Sequence, residues 1–272
     1  MGLATAHSGF LIVELDSIDS SNEEAKRRAL HGAPAGLVIW PRQQTQGRGR
    51  HGRSWSSPRG NLHVSFLLRP QCPIAQALQI GFVASLAVAA TVADLLTDAH
   101  DVRCKWPNDV LVNGRKVAGL LLESASDSRG QVAWLVLGIG LNVAWRPDDV
   151  AGAFCATSLA HEGVGATDLR PILDRLCGRI DDSLAEWKTA GFAAVRNRWL
   201  GIAYALGEQV SVRLADETAS GRFVGLDASG AMLLSDERGV ERLICAGDVF
   251  PPELKAEPLP VEEVKVADAA RG

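Results

Sequence analysis

No regular element can run through residues 47–55, where Gly47-Arg48-Gly49-Arg50-His51-Gly52-Arg53-Ser54-Trp55 alternates glycine with arginine. Glycine lets a backbone take positive φ and come close to a ligand. Arginine stays charged at any working pH and presents a planar fork of donors matched to carboxylate and phosphate oxygens. The segment must therefore be a loop, and its chemistry is that of an anion cradle. Leu37-Val38-Ile39-Trp40 reads as a buried strand leading in. Leu62, Val64, Phe66 and Leu68 alternate with their neighbours as a half-buried strand leading out. A Walker loop would need Gly-x4-Gly-Lys-Ser/Thr, which is absent. A dinucleotide fingerprint needs its glycines at the mouth of a helix, and Trp55-Ser56-Ser57-Pro58 is poor helix material. A solvated basic turn explains the alternation less well than a ligand does, because both flanks are strands. RNA-binding Arg-Gly boxes usually lie in long disordered tracts instead.

The chain carries 28 Lys+Arg against 32 Asp+Glu, so the arginines form a local site and not part of a basic surface. That balance argues against bulk binding of nucleic acid or anionic membrane. With 272 residues and 47% hydrophobic content, the chain suits one large domain and a small one. Its five cysteines are scattered and make no CxxC pair, which predicts neither a disulfide framework nor a zinc site. The N-terminus lacks the pattern of a signal peptide, and Ala6 stands where a myristoylation motif wants Ser or Thr. The longest apolar run, Ile80 to Ala93, is shorter than the roughly 18 to 20 residues that span a bilayer. A cytoplasmic protein is expected.

Ser21-Asn22-Glu23-Glu24 reads as a capping box with Ser21 as N-cap, opening a helix to Leu30. An alanine-rich helix is predicted from Ile74 to Leu96. Strands follow at Val102–Trp106, Val110–Val112, Lys116–Ser124 and Gln131–Asn142, with Asn113-Gly114 as a type I′ hairpin turn. Helices are predicted at Leu169–Trp187 and Phe192–Leu200. Residues 1–204 thus read as an α+β layer fold, a mixed sheet carrying helices. After Tyr204, short strands at Val210–Leu214, Ala219–Leu226, Ala231–Leu234 and Glu241–Ile244 predict a small β-barrel over 205–250. Residues 251–272, rich in Pro, Glu, Lys and Ala, read as a disordered tail.

Three further segments carry chemistry. In Lys105-Trp106-Pro107-Asn108-Asp109, a lysine at a strand end is followed by a proline that stops the strand, so its ammonium is aimed at one place. Lys116-Val117-Ala118-Gly119 opens another strand with a lysine and puts glycine in its interior. Gly138-Ile139-Gly140-Leu141-Asn142 repeats that device. Glycine weakens a strand unless something approaches its face closely. A ligand or a packed helix would each explain one such glycine; two neighbouring strands would leave a slot that fits a flat ligand.

In order and spacing, these segments together with Gln44-Thr45-Gln46 before the loop resemble the motifs of the biotin protein ligases. Asp19-Ser20-Ser21-Asn22 is similar to that family's Ser-Thr-Asn segment, with Ser21 in place of threonine. Leu206-Gly207, Gly230 to Leu234 and Ala246-Gly247-Asp248-Val249 resemble its SH3-like domain, so the likeness covers residues 10–250. It implies a class II synthetase-like catalytic domain and a two-step reaction. Biotin attacks ATP to give biotinyl-5′-adenylate and pyrophosphate. A lysine of a biotin carboxyl carrier protein, from acetyl-CoA carboxylase or a related enzyme, then takes the biotinyl group.

By that resemblance Lys105, Arg48 and Arg50 are catalytic. Biotin is held by Ser20, Ser21, Asn22, Gln44, Gly47, Arg48, Arg50, Lys105 and Gly119. ATP and the adenylate meet Arg48, Gly49, Arg50, Arg53, Trp55, Lys105, Asn108, Lys116 and Asn142. Mg²⁺ accompanies ATP without a protein cage. The motifs start at Asp19, which leaves no room for the family's DNA-binding domain and implies a dedicated ligase. Monomers and homodimers both fit. The loop is expected to be disordered when empty and to close over the adenylate. A lipoate ligase or octanoyl transferase shares the implied fold but lacks these runs. A nucleic-acid-binding module is opposed by the acidic balance and the single tyrosine.

Overall fold

In a computed structural model, which describes residues 4–147, 155–165 and 168–250, the strand patterns of the N-terminal region close into one sheet of eight strands. They are β1 (Ala4–His7), β2 (Phe10–Leu15), β3 (Leu37–Pro41), β4 (Leu62–Leu68), β5 (Val102–Lys105), β6 (Asp109–Val112), β7 (Arg115–Ser126) and β8 (Val132–Leu141). Their order is β1-β2-β3-β4-β8-β7-β6-β5. Strands β2 and β3 pair in parallel and every other neighbouring pair is antiparallel, so the sheet is mixed as expected. A parallel pair needs a crossover. Helix α1 (Ser21–Leu30) supplies it and packs on the sheet through Ala25 and Ala29.

All seven residues of β4 are buried, which corrects the half-buried expectation. Both faces are covered. Leu62, Val64, Phe66 and Leu68 enter the main core, while Leu67 packs with α1. The single helix predicted from Ile74 to Leu96 is two, α2 (Ile74–Ala77) and α3 (Ile80–Ala93). Between them the N–H groups of Gln79 and Gly81 donate three residues back, to Gln76 and Leu78, and this tighter spacing interrupts the α ladder. Counted from Ile74, the run is 20 residues at mean hydropathy 1.6, long and apolar enough by composition to cross a membrane. The stretch Ile80–Ala93 is itself α3, 14 residues long, as short of a span as expected. Here 67% of the longer run's apolar window is buried, against the sheet and α4 (Leu169–Gly201).

The two helices predicted within 169–200 form α4 and meet at Gly191, whose φ of 74° only glycine takes readily. Trp199 donates to Ser85 Oγ at 3.0 Å and Trp187 to Gln79 Oε1 at 2.9 Å, so both of these indole N–H groups are paired. Asn113 and Gly114 both take positive φ, 51° and 73°, as the predicted I′ turn requires.

The C-terminal region is an antiparallel sheet of β9 (Gln209–Arg213), β10 (Thr218–Leu226), β11 (Met232–Ser235), β12 (Glu241–Ile244) and β13 (Asp248–Phe250), ordered β12-β11-β10-β9-β13. Four of these strands match the predicted ones and β13 adds a fifth. It docks on the first sheet's end, where Trp106 Nε1 donates to Gly230 O at 3.1 Å. A Cβ on Gly230 would fall 2.5 Å from the Phe82 ring, so that contact admits glycine alone. The predicted tail, 251–272, lies outside the described residues.

Candidate active site

Side chains alternate along β7 and β8, and the faces opposite the main core converge on one place. Gly119 pairs directly with Gly140 and Leu121 with Gly138, so three of the four positions lack a side chain. At Gly119 and Gly140 the slot they open is filled by the loop's own Trp55, and at Gly138 by Asn22 of α1. A Cβ on Gly140 would fall 2.4 Å from the indole Cε2, and one on Gly119 would fall 3.1 Å from Cζ3. The flat group that approaches the strands is therefore an indole.

The glycine–arginine loop is pinned by main-chain bonds. Trp55 N–H donates to Gly47 O at 2.9 Å and Gly49 N–H to Arg53 O at 2.6 Å, while Arg50–Gly52 form a short 3₁₀ turn. Gly47 closes that path: a Cβ would lie 2.3 Å from Trp55 O. Two loop arginines reach the C-terminal sheet. Arg53 forms a fork on Asp248 at 2.9 and 3.1 Å, and Arg50 lies 3.7 Å from the same carboxylate. Arg50 also donates to Asn108 Oδ1 at 3.2 Å and to Gly247 O at 3.3 Å. Burial pulls the Arg50 pKa below its ordinary value, with Asp248 and Asp109 opposing. Arg48 turns the other way, to Glu23, with Glu123 at 3.8 Å.

The start of α1 forms the second wall. Ser20, and not Ser21 as predicted, is the N-cap, and neither hydroxyl caps the helix. The Ser21 hydroxyl is drawn instead to Gln44: its Oγ and its backbone N–H both donate to Gln44 Oε1, at 2.9 and 2.7 Å. Gln44 Nε2 in turn donates to Ser57 Oγ at 2.8 Å. Ser65 Oγ lies 2.7 Å from Ser21 Oγ and 2.6 Å from Asn22 Oδ1, and Asn22 Nδ2 donates to Glu123 at 2.8 Å. A row of short polar side chains is thus locked under the sheet.

The third wall is cationic. Asp109 receives Lys105 on Oδ2 at 3.2 Å and Lys116 on Oδ1 at 2.6 Å. Burial raises the pKa of Asp109, but the two lysines outweigh it and hold the carboxyl at about 2. Together the walls enclose about 640 Å³, lined by the start of α1, the loop, β6–β8 and by Arg213 and Asp248 of the C-terminal sheet. That volume suits a ligand of nucleotide or vitamin size.

Residues 15–142 match the biotin/lipoate A/B protein ligase family, and 205–250 match the biotin protein ligase C terminal domain. The chain is 40% identical over 235 residues to the biotin–[acetyl-CoA-carboxylase] ligase of Paracoccus denitrificans, covering 85% of this chain and 97% of that one. It belongs to the biotin protein ligase family. It is also 29% identical to the bifunctional ligase/repressor of Bacillus subtilis, over 90% of this chain and 75% of that protein. Among solved structures, it is similar to the Aquifex aeolicus biotin protein ligase in complex with biotin and ATP (TM-score 0.74, 30% identity, covering 88% of this chain and 97% of that one).

For a member of the biotin protein ligase family, the candidate residues gather closely. Ser20, Ser21, Asn22, Gln44, Arg48, Gly49, Arg50, Arg53, Trp55, Lys105, Asn108, Lys116, Gly119 and Asn142 all line the cavity. Gly47 does not line it and acts within the loop. Asn142 is engaged with protein groups, donating to Thr157 O at 3.0 Å. The motifs give no role to Asp109, Glu123 or Asp248, although Asp109 and Asp248 lie within them and Glu123 lies further along the strand of Lys116 and Gly119. Asn61, whose Oδ1 accepts from the N–H groups of Val143, Ala144 and Trp145, had no signal at all.

The Asp248 fork implies that the C-terminal sheet fastens the loop. In Asp248→Asn the fork loses its charge, and tryptic cleavage after Arg53 is expected to accelerate several-fold. Unchanged cleavage would show that main-chain bonds alone hold the loop.

Proposed function

We propose that this chain activates biotin with ATP as biotinyl-5′-adenylate and transfers the biotinyl group to a carrier lysine. The observation that carries the reading is the cationic wall, Lys105, Lys116 and Arg50 around one cavity, facing a fixed set of amide and hydroxyl groups from α1. The first step brings two anions together. A biotin carboxylate oxygen bonds to the α-phosphorus, the bond to the bridging oxygen breaks and pyrophosphate leaves. Charge builds on the phosphoryl oxygens, so fixed positive groups beside them are the main catalytic resource.

Lys105 would bridge the carboxylate and α-phosphate, with Lys116 on the adenylate phosphate and Arg50 and Arg53 on the departing charge. Ser20, Ser21 and Gln44 have donors and acceptors that match a ureido ring. In the second step the acceptor amine attacks the acyl carbon, loses a proton, and AMP leaves. Trp55 and the loop would keep water from the mixed anhydride.

Mg²⁺ enters with ATP, on its phosphates. The cavity carboxylates Asp109 and Asp248 already hold cations, and no cluster of three His, Cys, Asp or Glu among the described residues suits a metal. The acceptor is a biotin carboxyl carrier protein of acetyl-CoA carboxylase or a related carboxylase. The ligase acts in the cytoplasm as a monomer or homodimer.

The test is ATP–pyrophosphate exchange driven by biotin, with lipoate and octanoate as competing acids. Exchange with biotin alone is expected. Exchange driven by lipoate would move the chain to the sister activity, and none with any acid from folded protein would reject adenylation.

A further inference from the structure

A buried carboxylate is an unfavourable neighbour for a site that must gather anions. Asp109 opens β6, pairs in register with Lys105 on β5 and with Gly119 on β7, and presents one oxygen to each lysine. Asp109 is 8% exposed and Lys105 6%. By Coulomb's law alone, this carboxylate repels both a biotin carboxylate and a phosphate, so it weakens ground-state binding. Its presence needs a compensating reason, and the lysines supply one. Two ammonium groups in one dry site disfavour each other's charge, and burial disfavours it further. Without a counter-charge, the buried Lys105 would more readily shed its proton and with it its use to the reaction.

We propose that Asp109 is a positioning residue that keeps Lys105 protonated and holds it beside Lys116 until the substrate anions arrive. The inference rests on the adenylation reading and adds to it a residue to which that reading gave no role. When phosphate and carboxylate oxygens enter, they supply the negative charge that Asp109 supplies beforehand, so the lysines meet the transition state without reorganising.

The surrounding charges agree with this direction. Burial pulls the Lys105 pKa below its ordinary value; Asp109 opposes that pull, Lys116 adds to it and Asp248 opposes it from further away. Arg50 faces the same space from the loop and is coupled to Asp248 and Asp109, with Arg53 beyond it. Neutralising Asp109 therefore lowers the Lys105 pKa further. Activity that needs charged Lys105 is then lost, as pH rises, at a lower pH than in the wild type.

The test is Asp109→Asn, which keeps the shape and removes the charge. The alkaline limb of biotin-dependent exchange is expected to move down by about one to three pH units. Exchange at pH 8 falls by about ten-fold or more and recovers toward pH 6. Asp109→Glu retains the wild-type limb. In parallel, ¹⁵N NMR of the lysine Nζ groups, with Lys105 assigned through Lys105→Arg, reports the same downward shift without substrates. Loss by one factor at every pH, with the Lys105 titration unmoved, would mean a structural role and overturn the proposal. So would a wild-type profile in Asp109→Asn.

Lys116→Met gives a second test should Asp109→Asn fail to fold. Relieved of the neighbouring ammonium, Lys105 titrates at higher pH, and an unmoved titration sinks the coupling. Wild-type protein that exchanges with no acid would reject the adenylation reading, while the lysine titrations would still decide the part played by Asp109.

Discussion

Lys105→Ala is expected to lower biotin-dependent pyrophosphate exchange by about 10²- to 10³-fold, the usual loss when one fixed charge-stabilising donor is removed. The effect belongs in kcat more than in KM. A cation placed where charge develops stabilises the transition state more than the bound substrates. Breaking a buried ion pair by deleting one partner ordinarily destabilises the fold by about 3–5 kcal/mol, because the other charge is stranded. Here Asp109 keeps Lys116 at 2.6 Å, so the variant should fold, with a smaller loss of stability. Lys116 is the more exposed of the two, with 28% of its side chain accessible against 7%, and Lys116→Ala should cost less in rate. A Lys105→Ala enzyme within ten-fold of wild type would make Lys105 a structural counter-ion of Asp109 and move the catalytic role to the arginines.

How much of this was legible beforehand depends on whether a feature is local. The glycine–arginine loop, the I′ turn at Asn113-Gly114 and the lysines at strand ends are written in adjacent residues, and each sits where its local pattern implies. Gly119 and Gly140 announced a slot because glycine in a strand interior needs a reason. What fills it could not be read, since Trp55 arrives from more than sixty residues away. Asp248 was invisible for the same cause: its partner Arg53 belongs to another sheet's loop, 195 residues earlier. The capping-box reading of Ser21 failed because Gln44, brought in by β3, offers its hydroxyl a competing acceptor. Strand β4 was read as half-buried because His63 and Ser65 are polar, yet α1 covers that face and bonds Ser65 through its own first turn.

That covered face gives the second large effect. Gly138→Ala adds one methyl group, and its Cβ would lie 2.2 Å from Asn22 Oδ1, 2.9 Å from Cγ and 3.1 Å from Nδ2. A long side chain could swing aside, but this amide is short, buried and held by Ser65 and Glu123. The first turn of α1 must therefore move off the sheet, carrying Ser20 and Ser21 with it and stretching the bonds to Gln44. Overpacking of this kind destabilises by about 1–3 kcal/mol. The larger consequence is functional. The hydroxyl and amide groups that match a ureido ring lose their alignment, so KM for biotin should rise by about ten-fold or more, while KM for ATP changes little. Gly201→Ala is the control: it has no atom within 4 Å of the added carbon, and its backbone φ lies outside the left-handed region. It should leave both constants unchanged. Equal KM for biotin in Gly138→Ala and the control would mean that the α1 hydroxyls do not bind biotin. The ureido ring would then have to be sought elsewhere along the cavity.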